Sequence, residues 1–414
     1  MTMLIILLTS TTLRGSSMAY VGKSVTSLRT GWSVVRGDLF FPYSALSIAT
    51  MYVFTVNYPS ISSIADSSLE AYLLTSLTVW TMMSLLLGAF INKKLKLKGH
   101  LVWNLVGIIF GITLFFPVGG FAGLLLYSIL GGVSTGLFIP NILSSAINRT
   151  NFENRGSVSG LLVMLTYTLI IVCSLLIYTL VGMGIFFIII KSIGIALARK
   201  TNFNLSSSET SFMKVEAKVK LSFGAIWFIF LMADALVFNI ASMLISDYNL
   251  AVSRIATMTI GLASMLVGGT AMDNMGRKNL LVFSLSYLGL EYAAISLSGG
   301  ALINYTFLDG FAWGILTVFF MMVLGGDIFS PSERPFYFAV VSVLALFGSY
   351  MRQTLFMIRS DLQIIQIFPL ASVFLFIAVV IMLALPETLP EKIRQKKELQ
   401  DYLVRAKKVK ERYR

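Results

Sequence analysis

The chain has 414 residues, of which 57% are hydrophobic and 12% are charged, and its mean hydropathy is +0.84. A soluble domain usually carries about 25% charged residues, so a soluble fold could not bury this much apolar surface. The net charge of +13 comes from short Lys and Arg clusters between apolar runs and near the C-terminus, which argues against a nucleic-acid-binding face. With one cysteine, Cys173, and one histidine, His100, the sequence predicts neither an internal disulfide nor a metal site.

The first half of the chain contains a lead-in and six apolar runs. Residues 1–36 include an apolar stretch that is too short to cross a bilayer and lacks a preceding basic residue, so it fits a signal peptide poorly. We interpret this segment as a cytoplasmic lead-in or as a segment loosely attached at the membrane interface. Residues 37–198 contain runs long enough for six helical crossings. These are predicted at residues 37–57, 71–91, 100–118, 121–145, 157–178 and 181–198.

The second half repeats this pattern after a polar, basic linker at residues 199–220. Residues 221–385 are predicted to form six more crossings, and residues 386–414 form a basic cytoplasmic tail. The crossings are predicted at residues 221–246, 252–272, 279–298, 301–326, 336–356 and 366–385. The composition therefore predicts an all-α integral membrane protein with about twelve spans, numbered here from one to twelve.

The distribution of basic residues predicts the orientation of the chain in a plasma membrane. Of the 32 Lys and Arg residues, 28 fall in the lead-in, the tail and the loops on the same side, whereas Arg254, Arg352 and Arg359 are assigned to the opposite loops. Because basic loops stay on the cytoplasmic side, both termini are predicted to be cytoplasmic. Lys191, near the inner end of span six, is expected to extend its side chain towards that surface.

The turn between spans eight and nine carries a recognisable motif. It reads Gly269-Thr-Ala-Met-Asp273-Asn-Met-Gly276-Arg277-Lys278 and resembles the G-x-x-x-D-R-x-G-R-[RK] signature of the major facilitator superfamily, with Asn274 as the departure. The matching turn of the first half, which contains Gly88, Lys93 and Lys96, resembles a degraded copy. Recurrence in both halves implies two pseudo-symmetric six-helix bundles.

Three further segments resemble the sugar porter and metabolite:proton symporter branch of that superfamily. The loop from Asp327 to Arg334 resembles its E-x-[FY]-P-T-x-x-R motif, and the segment from Glu153 to Gly156 resembles its E-x-x-x-R-G region. Residues Pro386-Glu387-Thr388 match the start of its P-E-T-K-G ending. The linker lacks a P-E-S-P-R equivalent and span seven lacks the paired glutamines of sugar porters.

The resemblance implies a cytoplasmic gate in which acidic and basic side chains pair between the two bundles and glycines allow close helix approach. Arg277 is expected near Asp327 or Glu333, and Lys93 or Lys96 near Glu153. The alternative is that the basic loop residues only set topology. The gate candidates are Gly269, Asp273, Gly276, Arg277, Lys278, Asp327, Glu333, Arg334, Glu153, Arg155, Gly88, Lys93 and Lys96.

Ionisable side chains inside spans are costly and usually face a cavity or a partner. Asp234 in span seven shares its helical face with Trp227, Phe230 and Phe238, and Asp309 in span ten lies between Tyr305 and Trp313. In the superfamily, spans one, four, seven and ten line the cavity. The candidates for binding solute or protons are Asp234, Asp309, Trp227, Phe230, Trp313, Tyr305, Tyr43, Ser47, Thr50 and Asn57.

Each of these candidates also has a structural explanation. The polar stripe of span one could be ordinary small-residue helix packing, and either aspartate could make a structural hydrogen bond to a neighbouring helix. Glu291 lies on span nine, a peripheral helix by resemblance, where packing or extension towards the interface is favoured over a transport role.

The sequence therefore predicts a secondary transporter for a small polar organic solute, such as a sugar or an organic acid. It would work by alternating access, be driven by protons, act as a monomer and require no cofactor. The runner-up is an exporter of metabolites or amphipathic toxins. A polytopic membrane enzyme is disfavoured because no acid-rich D-D-x-x-D cluster is present, and the sequence lacks the G-x-x-x-x-G-K-[ST] loop of an ATP-driven pump.

Overall fold

The computed structural model describes residues 14–56, 67–116, 120–176, 179–201, 212–244, 247–298, 303–357 and 364–391, together with single residues of the tail as far as residue 409. These residues form helices joined by short turns, and the described part of the chain contains no strand. The all-α architecture that the composition predicts is confirmed.

The helices of the first half begin with an N-terminal helix, Arg14–Gly37, and continue through six spans. Span one is shorter than the others, and spans two and three form a single helical segment. Span four is two helices, because the chain breaks before Pro140, which cannot donate a backbone hydrogen bond. The spans are Phe40–Val56, Ser67–Thr113, Gly120–Gly136 with Ile139–Asn148, Arg155–Leu176 and Leu180–Lys200.

The helices of the second half follow the same order. Span ten is continued by a π-helical turn at Phe319–Val323 and a short helix at Leu324–Ile328. The remaining helices are Ala217–Leu244, Asp247–Met275, Arg277–Ser298, Ile303–Val318, Arg334–Met357 and Ile364–Ala384. Ten helices of the described chain are long and apolar enough to cross a membrane, and Phe40–Val53 is a shorter apolar helix.

The helical segment Ser67–Thr113 contains two spans, because both of its halves contact the same part of span four. The Ser84 hydroxyl donates to the carbonyl oxygen of Gly132 at 2.7 Å, and the Trp103 indole donates to that of Val133 at 3.0 Å. A straight helix would separate residues 84 and 103 by about 28 Å, at 1.5 Å per residue. The chain therefore reverses direction between them, which gives spans two and three and brings the total to twelve.

The two halves repeat one packing arrangement. In the first half, span one packs against spans five and six, span two against span four, and span three against span six. In the second half, span seven packs against spans eleven and twelve, span eight against span ten, and span nine against span twelve. The halves meet through spans two and eleven and through spans five and eight, which are equivalent positions. This confirms the two pseudo-symmetric bundles.

Small residues allow equivalent helices to pack closely in both bundles. A Cβ atom on Gly132 of span four would lie 2.7 Å from the Trp80 backbone of span two. A Cβ atom on Gly310 of span ten would lie 2.5 Å from the Thr257 carbonyl oxygen of span eight. Small side chains at helix crossings are typical of membrane bundles, because van der Waals contact replaces the hydrophobic effect there.

Residues 14–37, which include the described part of the lead-in, form a helix that packs against the bundles, and residues 1–13 lie outside the described residues. The N-terminal helix packs against span five and span eight, which belong to different bundles. A Cβ atom on Gly31 would lie 3.1 Å from the Ser157 side chain, and the Ser27 and Ser157 hydroxyl oxygens are 3.1 Å apart. This helix therefore lies across one end of the boundary between the bundles.

Candidate functional site

Asp273, in the last turn of span eight, caps the start of span five in the other bundle. Its Oδ1 accepts a hydrogen bond from the Gly156 N–H at 2.8 Å. Its Oδ2 accepts from the Ser157 N–H at 2.8 Å and from the Ser157 hydroxyl at 2.6 Å. The first N–H groups of a helix lack partners within the helix, and the helix dipole places partial positive charge there. The carboxylate therefore bonds the two bundles together.

Asp327, at the end of span ten, joins two arginine side chains. Its Oδ1 accepts a hydrogen bond from Arg155 of the first bundle at 2.6 Å. Its Oδ2 pairs with Arg277 of the second bundle and accepts from the Thr388 hydroxyl at 3.0 Å. Asp327 and Arg277 are 0% exposed, and Arg155 is 1% exposed. Buried charges are tolerated when they are paired and hydrogen-bonded, and both oxygens of Asp327 meet that condition.

Arg334 extends this charged network back to the first bundle. Its guanidinium bonds the Oδ1 atom of Asn148 and donates to the carbonyl oxygens of Gly326 and Phe329 at 2.9 and 3.1 Å. Each side chain of this network bonds across or beside the boundary between the bundles. We name this group the clasp: Arg155, Asp273, Arg277, Asp327 and Arg334.

Backbone contact accompanies the clasp. A Cβ atom on Gly156 would lie 2.3 Å from the carbonyl oxygen of Gly269, and one on Gly160 would lie 2.4 Å from that of Met265. These distances are shorter than real Cβ contacts, so spans five and eight touch through their main chains. Any larger residue at these positions would separate the bundles.

The turn between spans eight and nine is fixed by Gly276 and Glu387. Gly276 has φ +92°, a conformation that other residues rarely adopt. The Glu387 carboxylate accepts hydrogen bonds from the N–H groups of Arg277 and Lys278, both at 3.1 Å. Glu387 thus caps span nine, which holds Arg277 in position to reach Asp327.

Away from the clasp, four aromatic side chains pack between spans seven and ten. Trp227 stacks on Phe230 and Phe320, with ring centroids 5.6 and 5.0 Å apart. Trp313 meets Phe230 edge-on at 5.1 Å. Phe320 lies in the π-helical turn, where its carbonyl oxygen accepts a hydrogen bond from the Tyr337 hydroxyl. Such turns free a carbonyl group from the helical pattern and occur often at functional sites.

Asp234 lies beside this aromatic group and is 2% exposed. Its Oδ1 accepts a hydrogen bond from the Trp313 indole at 2.7 Å, and its Oδ2 pairs with Arg352 of span eleven. The Arg352 guanidinium lies over the rings of Phe238 and Trp313, at 4.6 and 5.6 Å from their centroids. A carboxylate from span seven and a cation from span eleven therefore meet among aromatic faces.

Two further carboxyl groups lie behind Asp234. Asp309 of span ten is 6% exposed, and its Oδ1 has no hydrogen-bond partner among the described residues. It interacts electrostatically with Asp234 and with Arg352. Glu291 of span nine is 4% exposed, interacts electrostatically with Asp309, and has no described partner for either carboxylate oxygen. We name Asp234, Asp309 and Glu291 the carboxyl cluster.

The polar stripe of span one is turned mainly into the first bundle. Tyr43 is 0% exposed, and its hydroxyl lies 2.9 Å from Nδ1 of His100 on span three. Ser47 is buried, and the Thr50 hydroxyl donates to the Ser47 carbonyl oxygen at 2.7 Å. Asn57 lies outside the described residues, as does the side chain of Tyr305.

Comparison with solved structures identifies this arrangement. The chain resembles the proton:xylose symporter XylE bound to 6-bromo-6-deoxy-D-glucose, with TM-score 0.61 and 13% identity over 89% of this chain and 97% of that one. It resembles a bacterial homologue of the iron transporter ferroportin in an outward-facing state, with TM-score 0.62 and 12% identity over 84% and 98%. The human organic anion transporter MFSD10 gives TM-score 0.58 and 10% identity over 85% and 99%.

The chain has the major facilitator fold. This confirms at the level of structure the resemblance that the motifs predict, although no protein-family model and no curated protein matches the sequence. The solved proteins named above are all transporters, with different cargoes.

Within the major facilitator fold, the predicted gate residues fall into two groups. Arg277 pairs with Asp327, one of its two expected partners, and Gly269 lies at the contact between the bundles. Glu333 instead pairs with Lys220 at 3.0 Å and accepts a hydrogen bond from the Ser330 N–H. The Ser330 bond and then Lys220 lower the pKa of Glu333.

The remaining gate candidates lie elsewhere. Glu153 is exposed, and the side chains of Lys93 and Lys96 are outside the described residues. Gly88 packs against the Leu137 carbonyl group of its own bundle, so a Cβ atom there would lie 1.7 Å from that oxygen. The charged contacts described at the boundary therefore come from the second-half motif and its partners.

Three sequence-based expectations need correction. Arg352 is not in an outer loop, because it lies within span eleven, where it pairs with Asp234. Lys191 does not extend towards the interface, since it is 1% exposed, donates to the Ser134 carbonyl oxygen at 2.9 Å and lies 3.4 Å from the Trp103 ring centroid. Glu291 does not reach the interface either, because its side chain is buried.

Some residues of the site were not singled out from the sequence. Ser157 and Asn148 bond the clasp, and no motif includes them. Glu387 and Thr388 belong to a segment that resembles the family ending, but no role was assigned to them from the sequence. In the structure Glu387 bonds the start of span nine and Thr388 bonds Asp327. The sequence could have identified Arg352 as a buried cation, because this residue falls inside the apolar run predicted as span eleven.

Proposed function

We propose that this protein is a secondary active transporter that carries a small polar organic solute across a membrane by alternating access. The observation that supports this is the arrangement of two pseudo-symmetric bundles, which are bonded at one end by the clasp and hold a buried Asp234–Arg352 pair among aromatic rings. Opening of the clasp end would expose the central region to one side, and opening of the other end would expose it to the opposite side.

We further propose that the clasp faces the cytoplasm of a cell whose plasma membrane contains the protein. The clasp lies beside the N-terminal helix, the linker and the basic tail, which carry most of the Lys and Arg residues. Positive loops remain on the cytoplasmic side during insertion. In this orientation both termini are cytoplasmic, and the conformation bonded by the clasp is closed towards the cytoplasm.

The central side chains fit a solute with apolar faces and a polar or anionic group. Trp227, Phe230 and Trp313 offer ring surfaces, while Arg352 offers a planar cation suited to carboxylate oxygens. An organic acid or a sugar satisfies this description. Protonation of Asp234 would release Arg352 from its partner, which would link proton binding to solute binding.

The test begins with a thermal-shift screen of sugars, organic acids and amino acids, because a bound solute stabilises the folded protein by mass action. Hits are then assayed for uptake into proteoliposomes under an imposed proton gradient. We expect Asp234→Asn and Asp309→Asn to reduce gradient-driven uptake by about tenfold or more, a typical size for coupled sites. Glu391→Gln, in the exposed start of the tail, is the matched control.

Two outcomes would change the proposal. Unchanged coupling in both aspartate variants would remove these residues from the coupling mechanism. Solute movement opposite to the proton gradient would identify an exporter, which is the second candidate because the solved relatives by fold include an iron transporter homologue and an organic anion transporter.

A further inference from the structure

Glu291 occupies a position where a carboxyl group is difficult to explain by packing. It lies on span nine, next to Leu290, which is 59% exposed on the apolar outer surface, yet its own side chain is 4% exposed and points into the second bundle. Neither carboxylate oxygen has a hydrogen-bond partner among the residues that the structure describes. A leucine or glutamine would fill the same space at a lower desolvation cost.

The surroundings of Glu291 favour a neutral carboxylic acid. A carboxylate in this position would require a cation or several bonded N–H or O–H donors, and neither oxygen of Glu291 receives a hydrogen bond from the described residues. Span nine contributes Tyr287 and Tyr292, and span ten contributes Asp309. Residues 364–384 of span twelve contain no titratable side chain. Because the described residues give Glu291 neither an ion pair nor a hydrogen bond, burial at this position favours the neutral carboxylic acid.

Glu291 is connected electrostatically to the central ion pair. It interacts with Asp309, Asp309 interacts with Asp234, and Asp234 pairs with Arg352. Glu291 is seven residues from the end of span nine at Ser298, and Asp309 is six residues from the start of span ten at Ile303. At 1.5 Å per residue, both lie about 10 Å from the helix ends opposite the clasp. The two carboxyl groups are therefore at matching depth.

We propose that Glu291 binds a proton and forms the outer end of a proton pathway through the second bundle, from Glu291 through Asp309 to the Asp234–Arg352 pair. Neutral Asp309 passes its proton to the Asp234 carboxylate and takes up the proton of Glu291, and Glu291 is then protonated again from the outer side. Asp234 becomes neutral and Arg352 keeps one positive charge, which is then available to an anionic group of the solute. This inference rests on the proposed transport function and specifies how that function is coupled.

A proton fits this site better than a metal cation. A sodium ion needs several oxygen ligands, whereas a proton needs one carboxyl oxygen. Among the described residues, no group of three or more His, Cys, Asp or Glu side chains could hold a metal ion.

The first test needs no solute. Infrared difference spectra of the purified protein are recorded between low and high pH, and the band of protonated carboxylic acids is compared among wild type, Glu291→Gln, Glu291→Asp and the control Glu391→Gln. We expect part of this band to disappear in the Glu291→Gln spectrum only, and to shift in the Glu291→Asp spectrum. An unchanged band in Glu291→Gln would overturn the proposal. A change in the wild-type band when sodium replaces potassium in the buffer would also overturn the proposal.

The second test separates coupling from solute movement. In proteoliposomes, Glu291→Gln should lose about tenfold or more of the proton-driven accumulation while equilibrium exchange of the same solute stays near the wild-type rate. Equal accumulation in wild type and Glu291→Gln would overturn the pathway. If wild type transports no solute, the proposed function fails, but the infrared test still decides whether Glu291 binds a proton. If Glu291→Gln does not fold, Glu291→Asp replaces it, because it keeps a carboxyl group whose infrared band should be shifted from that of the wild type.

Discussion

The clasp and the carboxyl cluster are both buried groups of charged residues in one membrane protein, yet they are bonded in opposite ways. In the clasp, both Asp273 and Asp327 use both carboxylate oxygens, and their partners come from both bundles. In the carboxyl cluster, Asp234 is paired, but Asp309 and Glu291 have oxygens without partners among the described residues.

This difference indicates two physical roles for buried charge. A fully bonded network has one favourable arrangement and resists change, because removal of any member leaves the others desolvated and unpaired. An incompletely bonded carboxyl group gains little from being charged, so its protonation state can change without loss of many contacts. The clasp therefore suits mechanical connection of the bundles, and the carboxyl cluster suits exchange of protons.

The most direct test of the difference between the clasp and the carboxyl cluster is to neutralise Asp327. Asp327→Asn keeps the shape of the side chain but removes the carboxylate bonded to Arg155 and Arg277, leaving Asp273, 3.9 Å from Arg277, as the acidic group beside them. We therefore expect a loss of about 3–5 kcal/mol in the free energy of unfolding. Chemical unfolding in detergent, followed by tryptophan fluorescence, measures this value. Glu153→Gln, at an exposed position, should change it by less than about 0.5 kcal/mol. A similar effect of both variants would show that the clasp contributes no special stability.

A smaller effect is expected from Gly156→Ala at the same boundary. The added methyl group would lie 2.3 Å from the Gly269 carbonyl oxygen, so spans five and eight must separate, at a cost of about 1–3 kcal/mol. The matched control is Gly224→Ala, because a Cβ atom there meets nothing within 4 Å. Alanine favours helix over glycine by up to about 1 kcal/mol, so the control should keep or gain stability. Equal unfolding temperatures for the two variants would contradict the close contact described here.

The smallest effect on stability is expected in the carboxyl cluster itself. Asp309→Asn replaces a buried carboxyl group that has an unpartnered oxygen and lies near two other acids, so we expect the free energy of unfolding to stay within about 1 kcal/mol of wild type. The free energy of unfolding of Asp327→Asn, measured under identical conditions, is the value for comparison. A loss at Asp309 as large as the loss at Asp327 would show that the carboxyl cluster is a structural network.

The spans were predictable because the bilayer imposes a length on each apolar run, and run length can be read from composition alone. The reversal between spans two and three was predicted from the basic turn that contains Lys93 and Lys96, although the structure assigns Ser67–Thr113 as one helical segment. The N-terminal helix was missed because it has too few apolar residues to resemble a span and is stabilised by contacts with spans five and eight that lie far away in the sequence.

The candidate site was predictable to a lesser extent. The motif placed Arg277 with Asp327, because a family pattern contains information about distant contacts. It could not show that Glu333 turns away to Lys220, since that choice depends on how the loop after span ten folds. Arg352 was misplaced, and Glu291 was left between packing and extension towards the interface, because helical position alone does not reveal which side chains a neighbouring helix covers.

The contact of the N-terminal helix has a consequence for biogenesis. Residues 14–37 leave the ribosome before the two spans that bind them, namely span five and span eight, which ends at Met275. The helix can therefore reach its final position only after both bundles have been inserted and joined. The contact between Ser27 and Ser157 needs only the first bundle, whereas the contact of the helix with span eight needs the second, so the position of this helix is completed last.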